Sequence, residues 1–196
     1  MRLFVALDID DDIRGRIALF LDGVRGFAPD ARWVRPESLH VTLRFIGEKP
    51  EDDIGSIRRA LEAIAADAIE INFCGYGFFP GARAPRVFWG GVESGGSNLA
   101  SFAAAVDEAL TKIHIPKEEH AFNAHLTLAR CGGGSGSTRK QRSDVPNRNF
   151  ERLQEKLAAL PTPEFGTMTA REFFLYQSQL SSNGSKYTKL AGFALR

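Results

Sequence analysis

The feature that most limits how this chain can fold is a nine-residue segment that occurs twice, beginning at Leu39 and again at Ala124. Polar and apolar residues alternate in both copies, which is typical of a strand with one buried face. The polar face of each copy carries a His-x-Thr motif. The members of the two motifs are His40, Thr42, His125 and Thr127. If a duplicated unit brings the two strands together, one cleft contains two imidazoles and two hydroxyls.

Length and charge limit the classes of protein that this chain can be. It has 196 residues, of which 43% are hydrophobic, so one core can be buried and we expect a single bilobal domain over residues 1–196. The 25 Lys and Arg nearly balance the 24 Asp and Glu. A chain with so little net charge does not attract nucleic acid over a long range. Any anion-binding site must therefore arise from a local arrangement of residues.

The cysteines and the N-terminus indicate the compartment. Cys74 and Cys131 are the two cysteines, and no Cys-x-x-Cys occurs, so neither a disulfide framework nor a thiolate zinc site is indicated. We expect two buried thiols in a reducing compartment. The apolar run at residues 3–7 is too short for a membrane span and is followed by aspartates, unlike a signal peptide. The sequence thus favours a cytoplasmic protein with no membrane partner.

Strands and helices are predicted in alternation. The order strand, helix, His strand occurs twice, and the chain ends in a hairpin around Asn183-Gly184. This predicts an α+β fold with two curved antiparallel sheets that flank a central cleft, and helices outside. Predicted strands are residues 3–9, the two His segments, 69–73, 87–89, 172–180 and 187–195; helices are 13–24, 51–67, 99–113 and 150–160; loops are 75–85 and 131–149.

Two imidazoles in one cleft are suited to acid–base chemistry on a phosphodiester. With an unperturbed pKa of about 6.5, one histidine accepts a proton from water while the other donates one to the departing oxygen. Thr42 and Thr127 are placed to donate hydrogen bonds to the non-bridging phosphate oxygens. A single His-x-Thr is more simply a surface histidine beside a threonine with β propensity. The second copy in a matching frame favours the functional interpretation.

The sequence resembles the two-histidine (2H) phosphoesterases, and among them the bacterial and archaeal RNA 2′,3′-cyclic phosphodiesterases. These LigT-like proteins were formerly called 2′-5′ RNA ligases. The matching residues are 2–7, 33–47, 86–89, 125–130 and the terminal hairpin. The resemblance implies a bilobal fold in which each lobe contributes one motif to a central cleft. It also implies hydrolysis of a 2′,3′-cyclic phosphate at an RNA end to a 2′-phosphate, with neither a metal nor another cofactor.

The resemblance also implies roles for five residues. His40 is similar to the general acid that protonates the leaving 3′ oxygen, and His125 to the base that activates water. The order of these two roles stays open, because near-symmetric imidazoles can exchange them. Thr42 and Thr127 match phosphate-binding positions, and Arg130 matches a basic position after the second motif. Strand parity places Arg130 on the face opposite His125, so a bulge or a strand end is needed for it to reach the cleft.

Several further residues have two interpretations. Trp33, Phe45 and Trp89 are suited either to stacking on a base or, as we favour, to core packing. Tyr187 either holds the substrate end or is buried in the last strand. The basic loop at residues 139–148 either folds over RNA or is simply solvated. His114 and His120, in and beside a polar connection, are expected to be exposed and not to bind metal.

Other activities are compatible with the same two motifs. They are 2′-5′ RNA ligation, 2′-5′ phosphodiesterase activity and opening of a small cyclic nucleotide. A non-catalytic RNA-binding module is a further alternative, although a binder needs no paired acid and base. The expected partner is RNA with a 2′,3′-cyclic phosphate end, or a small cyclic nucleotide, and the expected state is a monomer.

Overall fold

The computed structural model of the protein describes residues 1–131, 148, 150–181 and 184–196. Within these residues it contains nine strands and four α-helices. The strands are β1 (Arg2–Asp8), β2 (Arg32–Trp33), β3 (His40–Glu48), β4 (Ile69–Phe79), β5 (Val87–Ser94), β6 (His125–Arg130), β7 (Glu164–Ala170), β8 (Glu172–Ser181) and β9 (Gly184–Ala194). The helices are α1 (Asp11–Val24), α2 (Ile54–Glu62), α3 (Gly96–Thr111) and α4 (Glu151–Ala158).

The strands form a curled antiparallel sheet in the order β7-β4-β5-β6-β3-β1-β8-β9, with β2 paired to β6. Its two halves meet along a seam where β3 pairs with β6. Across this seam Val41 lies opposite Leu126. The α+β class and the antiparallel pairing are thus confirmed. The two predicted sheets are joined along this seam into one sheet, which places both His strands at its centre.

The duplication is visible in the strand order. The seam has β3 on one side and β6 on the other, followed outward by β1 and β5. The units β1-α1-β3 and β5-α3-β6 therefore correspond. Both helices pack across the seam: α1 lies on β7 and α4, and α3 lies mainly on β3 and α2 while it also touches β4 and β5 of its own half.

Aromatic contacts hold these crossed helices in place. Phe20 of α1 meets Phe165 of β7 edge-on, with ring centroids 5.4 Å apart. Phe102 of α3 meets Phe173 of β8 in the same way at 5.0 Å. Such edge-to-face pairs combine apolar burial with favourable ring electrostatics. One continuous core thus runs through both halves.

Some predicted boundaries were wrong. Only Ile54–Glu62 of the predicted helix at 51–67 is α-helical, preceded by a short 3-10 turn. The predicted loop at 75–85 begins later, because β4 continues to Phe79. Gly77 permits this continuation: it pairs with Trp89, and a Cβ on Gly77 would lie 2.1 Å from the indole ring. Thus the glycine lets the ring lie flat on the strand.

The C-terminal part of the chain contains one strand that the sequence did not predict and one hairpin that it did. Strand β7 was not predicted, because Gly166, with φ 105°, interrupts the alternation of apolar residues. The terminal hairpin is confirmed as β8 and β9, although residues 182–183 of its turn lie outside the described residues. The basic loop also lies outside them except for Arg148, which is exposed and 3.7 Å from Glu151. The expectation of two buried thiols was wrong, because Cys74 and Cys131 are both only half-buried.

Candidate active site

The seam between β3 and β6 brings the two motifs together. Val41 and Leu126, the paired residues, are 1% and 0% exposed, so they point into the core. Their neighbours along each strand point into the cleft, where they are partly exposed. In this antiparallel register His40 lies across from Thr127, and Thr42 lies across from His125. The four cleft residues are His40, Thr42, His125 and Thr127.

Both imidazoles are anchored in the same way. The Nδ1 of His40 lies 2.8 Å from the backbone oxygen of Ser38, and the Nδ1 of His125 lies 2.8 Å from that of Asn123. Because a carbonyl oxygen can only accept, Nδ1 carries the proton in both pairs. Nε2 is consequently the nitrogen available to a substrate. In the neutral ring it accepts a proton, and in the charged ring it donates one.

The cleft lowers the pKa of both histidines. For His40 the main cause is burial, and the charges of Arg130 and His125 lower the pKa further, while the hydrogen bond to Ser38 and the carboxylate of Asp8 oppose them. Burial also lowers the pKa of His125, with a contribution from Arg130. Both effects disfavour the imidazolium ion. Neutral imidazole, the form required of a general base, is therefore favoured near neutral pH.

A bulge places Arg130 on the cleft face. Trp89 pairs with Thr127 and Phe88 with Ala129, so β6 has one extra residue, Leu128, at this point. Leu128 and Ala129 are both fully buried, which resets the alternation, and Arg130 is then exposed on the side of His125. The bulge that strand parity required is present. The effect of Arg130 on both histidine pKa values agrees with this placement.

Strand β3 contains a bulge at the equivalent position. Ala6 pairs with Thr42 and Val5 with Arg44, so Leu43 is the extra residue. Leu43 and Arg44 are both buried, and Phe45 follows with 52% of its surface exposed. Core packing, the interpretation favoured for Phe45, is therefore wrong.

The other aromatic residues near the motifs have structural contacts. Trp33 donates from Nε1 to the oxygen of Ala28 at 3.0 Å and is half-buried against Phe88, as expected of a packing residue. Trp89 stacks on Phe79 with centroids 5.1 Å apart, and Phe79 in turn meets His125 edge-on at 5.2 Å. These rings restrict the orientation of the His125 imidazole.

Different rings surround His40. Phe4 lies 5.0 Å from the imidazole centroid, and Tyr187 lies edge-on to it at 5.1 Å. Tyr187 is half-buried, so it lies at the edge of the cleft and is not part of the buried core. Beside them, Asp8 pairs with His40 in the sheet, accepts a hydrogen bond from the Tyr176 hydroxyl and lies 2.5 Å from the Lys189 ammonium.

The sequence did not predict this cluster of Asp8, Tyr176 and Lys189. Asp8 stands at the head of an acidic run that fits the start of α1, and Tyr176 is 168 residues away. No spacing in the sequence connects the two. Burial and the hydrogen bond to Asp8 raise the pKa of Tyr176, so its hydroxyl stays protonated and continues to donate.

A buried ionic network on β3 was also missed. The Nε of Arg44 lies 2.7 Å from Oδ1 of Asp107 on α3, and its Nη1 lies 2.9 Å from Oε2 of Glu118. Arg44 also donates to the oxygen of Pro116, and the backbone nitrogen of Glu118 lies 3.1 Å from Asp107. The network therefore fastens the connection from α3 to β6, which includes the Asn123 carbonyl that anchors His125.

Two cavities flank the motifs. One, of about 630 Å³, adjoins His125 and Thr42 and has a mainly apolar wall. The other, of about 670 Å³, adjoins His40 and is lined by charged side chains, among them Lys186 and Lys189. The cleft is therefore apolar on the His125 side and charged on the His40 side.

Metal clusters and membrane-spanning helices are both absent from the part of the chain that the structure describes. Its residues contain no group of three His, Cys, Asp or Glu that could hold a metal ion. None of its helices is both long and apolar enough to cross a membrane. His114 and His120 are exposed, as predicted.

Known proteins are similar to this chain in sequence. The family model described as LigT like Phosphoesterase matches residues 7–89 and 91–187. An RNA 2′,3′-cyclic phosphodiesterase from Archaeoglobus fulgidus is 35% identical over 98% of this chain and 99% of its own length. A protein of the same name from Methanothermobacter thermautotrophicus is 30% identical over 100% of this chain and 99% of its own.

Solved structures of known proteins share the fold of this chain. A crystal structure of a protein from Thermus thermophilus matches with a TM-score of 0.78 and 26% identity, covering 100% of this chain and 98% of that one. LigT from E. coli in complex with 3′-AMP shares the fold, with a TM-score of 0.75 and 24% identity over 99% and 97% of the two chains. The LigT-like fold implied by the family resemblance is thus confirmed.

Proposed function

Since the chain belongs to the LigT-like phosphoesterase family, we propose that it hydrolyses 2′,3′-cyclic phosphate ends of RNA to 2′-phosphates. The observation that carries the proposal is the matched anchoring of His40 and His125 on one seam. Both rings present Nε2 to the cleft and hold Nδ1 on a backbone carbonyl. An acid and a base are thereby held in defined tautomers on the two sides of a single binding position.

The two histidines share the proton transfers of the reaction. Nε2 of neutral His125 takes a proton from water as the water oxygen attacks phosphorus. The bond from phosphorus to the 3′ oxygen breaks, and protonated His40 gives that oxygen a proton from Nε2. The products are a 2′-phosphate and a 3′-hydroxyl, and exchange with solvent returns each histidine to its starting form. In this scheme the two histidines need no metal ion.

Charge on the phosphoryl group must be stabilised during transfer. Thr42 and Thr127 donate from their hydroxyls to the non-bridging oxygens in this scheme, and Arg130 supplies the positive charge. Arg130 is suited to this role because its charge already acts on both histidines. The identity of the acid is supported by Asp8, whose carboxylate favours the charged form of His40.

The decisive experiment uses short RNA with a 2′,3′-cyclic phosphate end, incubated with the purified protein in EDTA. We expect a 2′-phosphate product, and His40→Ala or His125→Ala should lower turnover at least about 100-fold, because each removes one proton transfer. The matched control is His114→Asn, at an exposed histidine whose positive φ asparagine tolerates, and it should retain activity. Full activity in either cleft variant would refute the mechanism.

Product analysis in the same experiment separates the other activities. A 3′-phosphate product would mean that the 2′ bond is broken. Turnover of small cyclic nucleotides with none of the RNA would move the proposal to that substrate, and cleavage of a 2′-5′ linkage would identify a phosphodiesterase of that class. Binding of the RNA without any turnover would leave a non-catalytic RNA-binding module.

A further inference from the structure

The 670 Å³ cavity beside His40 is lined by charged side chains, most of which take no part in the proton transfers described above. Among the described residues that line it, four are basic and three are acidic. Each acidic residue lies beside a basic one. The pairs are Asp8 with Lys189 at 2.5 Å, Asp11 with Arg14 at 3.4 Å and Glu37 with Arg35 at 3.5 Å. The fourth basic residue is Lys186.

Two of the basic residues are held by the protein itself. The Lys189 ammonium lies over the ring of Phe174, 3.8 Å from its centroid, in addition to its carboxylate partner. The Arg14 guanidinium donates to the backbone oxygens of Ile9 and Pro36, at 2.8 and 3.2 Å. These contacts fix both cations to the wall of the cavity and use their donors.

Lys186 and Arg35 are the basic residues that can serve a ligand. Lys186, on β9, is exposed, and none of the carboxylates in the described residues forms an ion pair with it. Arg35 precedes the turn that contains Ser38, the anchor of His40, and its side chain is 59% exposed despite its acidic neighbour. Such an exposed pair contributes little free energy. The cavity therefore presents a positive charge next to His40, and an anion can neutralise that charge.

We propose that this cavity binds the 5′ phosphate of the terminal nucleotide, the phosphodiester that joins this nucleotide to the rest of the RNA, with Lys186 as its main cation and Arg35 beside it. The inference rests on the proposed function and adds a second part of the RNA that the protein recognises. Contacts to the phosphate backbone carry no sequence information. The site therefore accepts any RNA sequence but distinguishes an RNA end from a cyclic nucleotide without a 5′ phosphate.

The chemistry of the cyclic phosphate places the 5′ phosphate on this side of the cleft. Water attacks in line with the departing 3′ oxygen, so the two lie on opposite sides of phosphorus. C4′, which carries C5′ and the 5′ phosphate, is bonded to the carbon that bears the 3′ oxygen. The 5′ phosphate thus lies toward the acid, His40. The cavity beside His125 has a mainly apolar wall and is less suited to a phosphate.

A pair of substrates that differ by one charge tests the proposal. Both are short RNAs with a 2′,3′-cyclic phosphate end; the last linkage is the natural phosphodiester in one and an uncharged methylphosphonate in the other. We expect kcat/KM for the first to exceed that for the second at least about fivefold, which corresponds to ~1 kcal/mol. Added salt should reduce this ratio, because ions screen the attraction between exposed charges.

Variants of Lys186 assign the effect to the cavity. Lys186→Gln should lower the ratio toward one by slowing the natural substrate alone, whereas Lys186→Arg, which keeps the charge, should preserve it. Lys112→Gln, at an exposed lysine that follows α3, is the matched control and should leave the ratio as it is in the wild type.

The outcomes separate this proposal from the proposed function. If the wild type processes the two substrates equally, or if Lys186→Gln leaves their ratio unchanged, the phosphate site is refuted while the proposed function stands. If the wild type opens neither substrate, the proposed function itself fails.

Discussion

At the residue scale, the two imidazoles have the same backbone anchor but different charged neighbours. Asp8 raises the pKa of His40, and no carboxylate among the described residues acts on His125, while Arg130 lowers the pKa of both. In each residue burial is the largest effect, so both pKa values lie below 6.5. The site thus combines a common tautomer with unequal electrostatics.

This arrangement predicts an acid-shifted pH profile. The reaction needs His125 neutral, which holds above its pKa, and His40 protonated, which holds below its pKa. Because both values are lowered, the bell-shaped profile of kcat/KM should have its maximum below the unperturbed imidazole value of about 6.5. Initial rates measured across this range, in buffers of constant ionic strength, provide the test.

Replacing Arg130 tests the sign of the electrostatic effect. Removing its charge raises the pKa of both histidines, so Arg130→Gln should move the maximum to higher pH as well as reduce the rate. A variant of exposed Arg58, on α2, serves as a control and should leave the maximum in place. An unchanged maximum in Arg130→Gln would show that Arg130 does not face the histidines.

At the element scale, α3 is tied to β3 by one buried ion pair. Arg44 and Asp107 are 7% and 9% exposed, and their shortest distance is 2.7 Å. Further hydrogen bonds from Arg44 hold the segment before β6. A helix of one half is therefore fastened to the His strand of the other.

Breaking this pair should be costly. Asp107→Asn leaves the Arg44 guanidinium buried without its main counter-charge, and removal of one partner of a buried pair typically costs about 3–5 kcal/mol. We expect a loss of this size in urea denaturation. The double change Arg44→Met with Asp107→Leu should recover much of it, because no fully buried charge is left without a partner: Glu118, which also loses Arg44, is half-buried and reaches water. An unchanged free energy of unfolding in Asp107→Asn would contradict the network.

At the scale of the whole molecule, the crossed helices make the two halves interdependent. Strands β4 to β7 are contiguous in the chain, but the helix that covers β7 is α1, from the other half. Ile13, Ile17 and Leu21 of α1 are each at most 5% exposed in the complete fold. Without α1, the apolar face of β7 would be open to water.

A fragment of residues 68–171 should consequently fail to fold alone. We expect a poorly dispersed NMR spectrum and no cooperative unfolding transition, because its core lacks the α1 contribution. Addition of the isolated α1 peptide in excess is an informative control, since binding would restore part of that core. A cooperative transition in the fragment by itself would show that the halves are separate domains.

The sequence by itself determined the elements and the chemistry that local patterns encode. Alternation along residues 39–47 and 124–132 predicts two strands with a histidine and a threonine on one face, and their repetition predicts a shared site. Helical spacing predicts α1 and α3. These features depend on neighbours a few residues apart, so periodicity is sufficient to find them.

Tertiary structure alone decided which distant residues meet. The bulges at Leu43 and Leu128 turn Phe45 and Arg130 to the cleft, and they are visible only in the pairing with β1 and β5. Arg44 contacts Asp107 and Glu118, which are distant from it in the sequence, because α3 packs across the seam against β3. Register and burial depend on the whole sheet, and no local pattern in a single sequence encodes them.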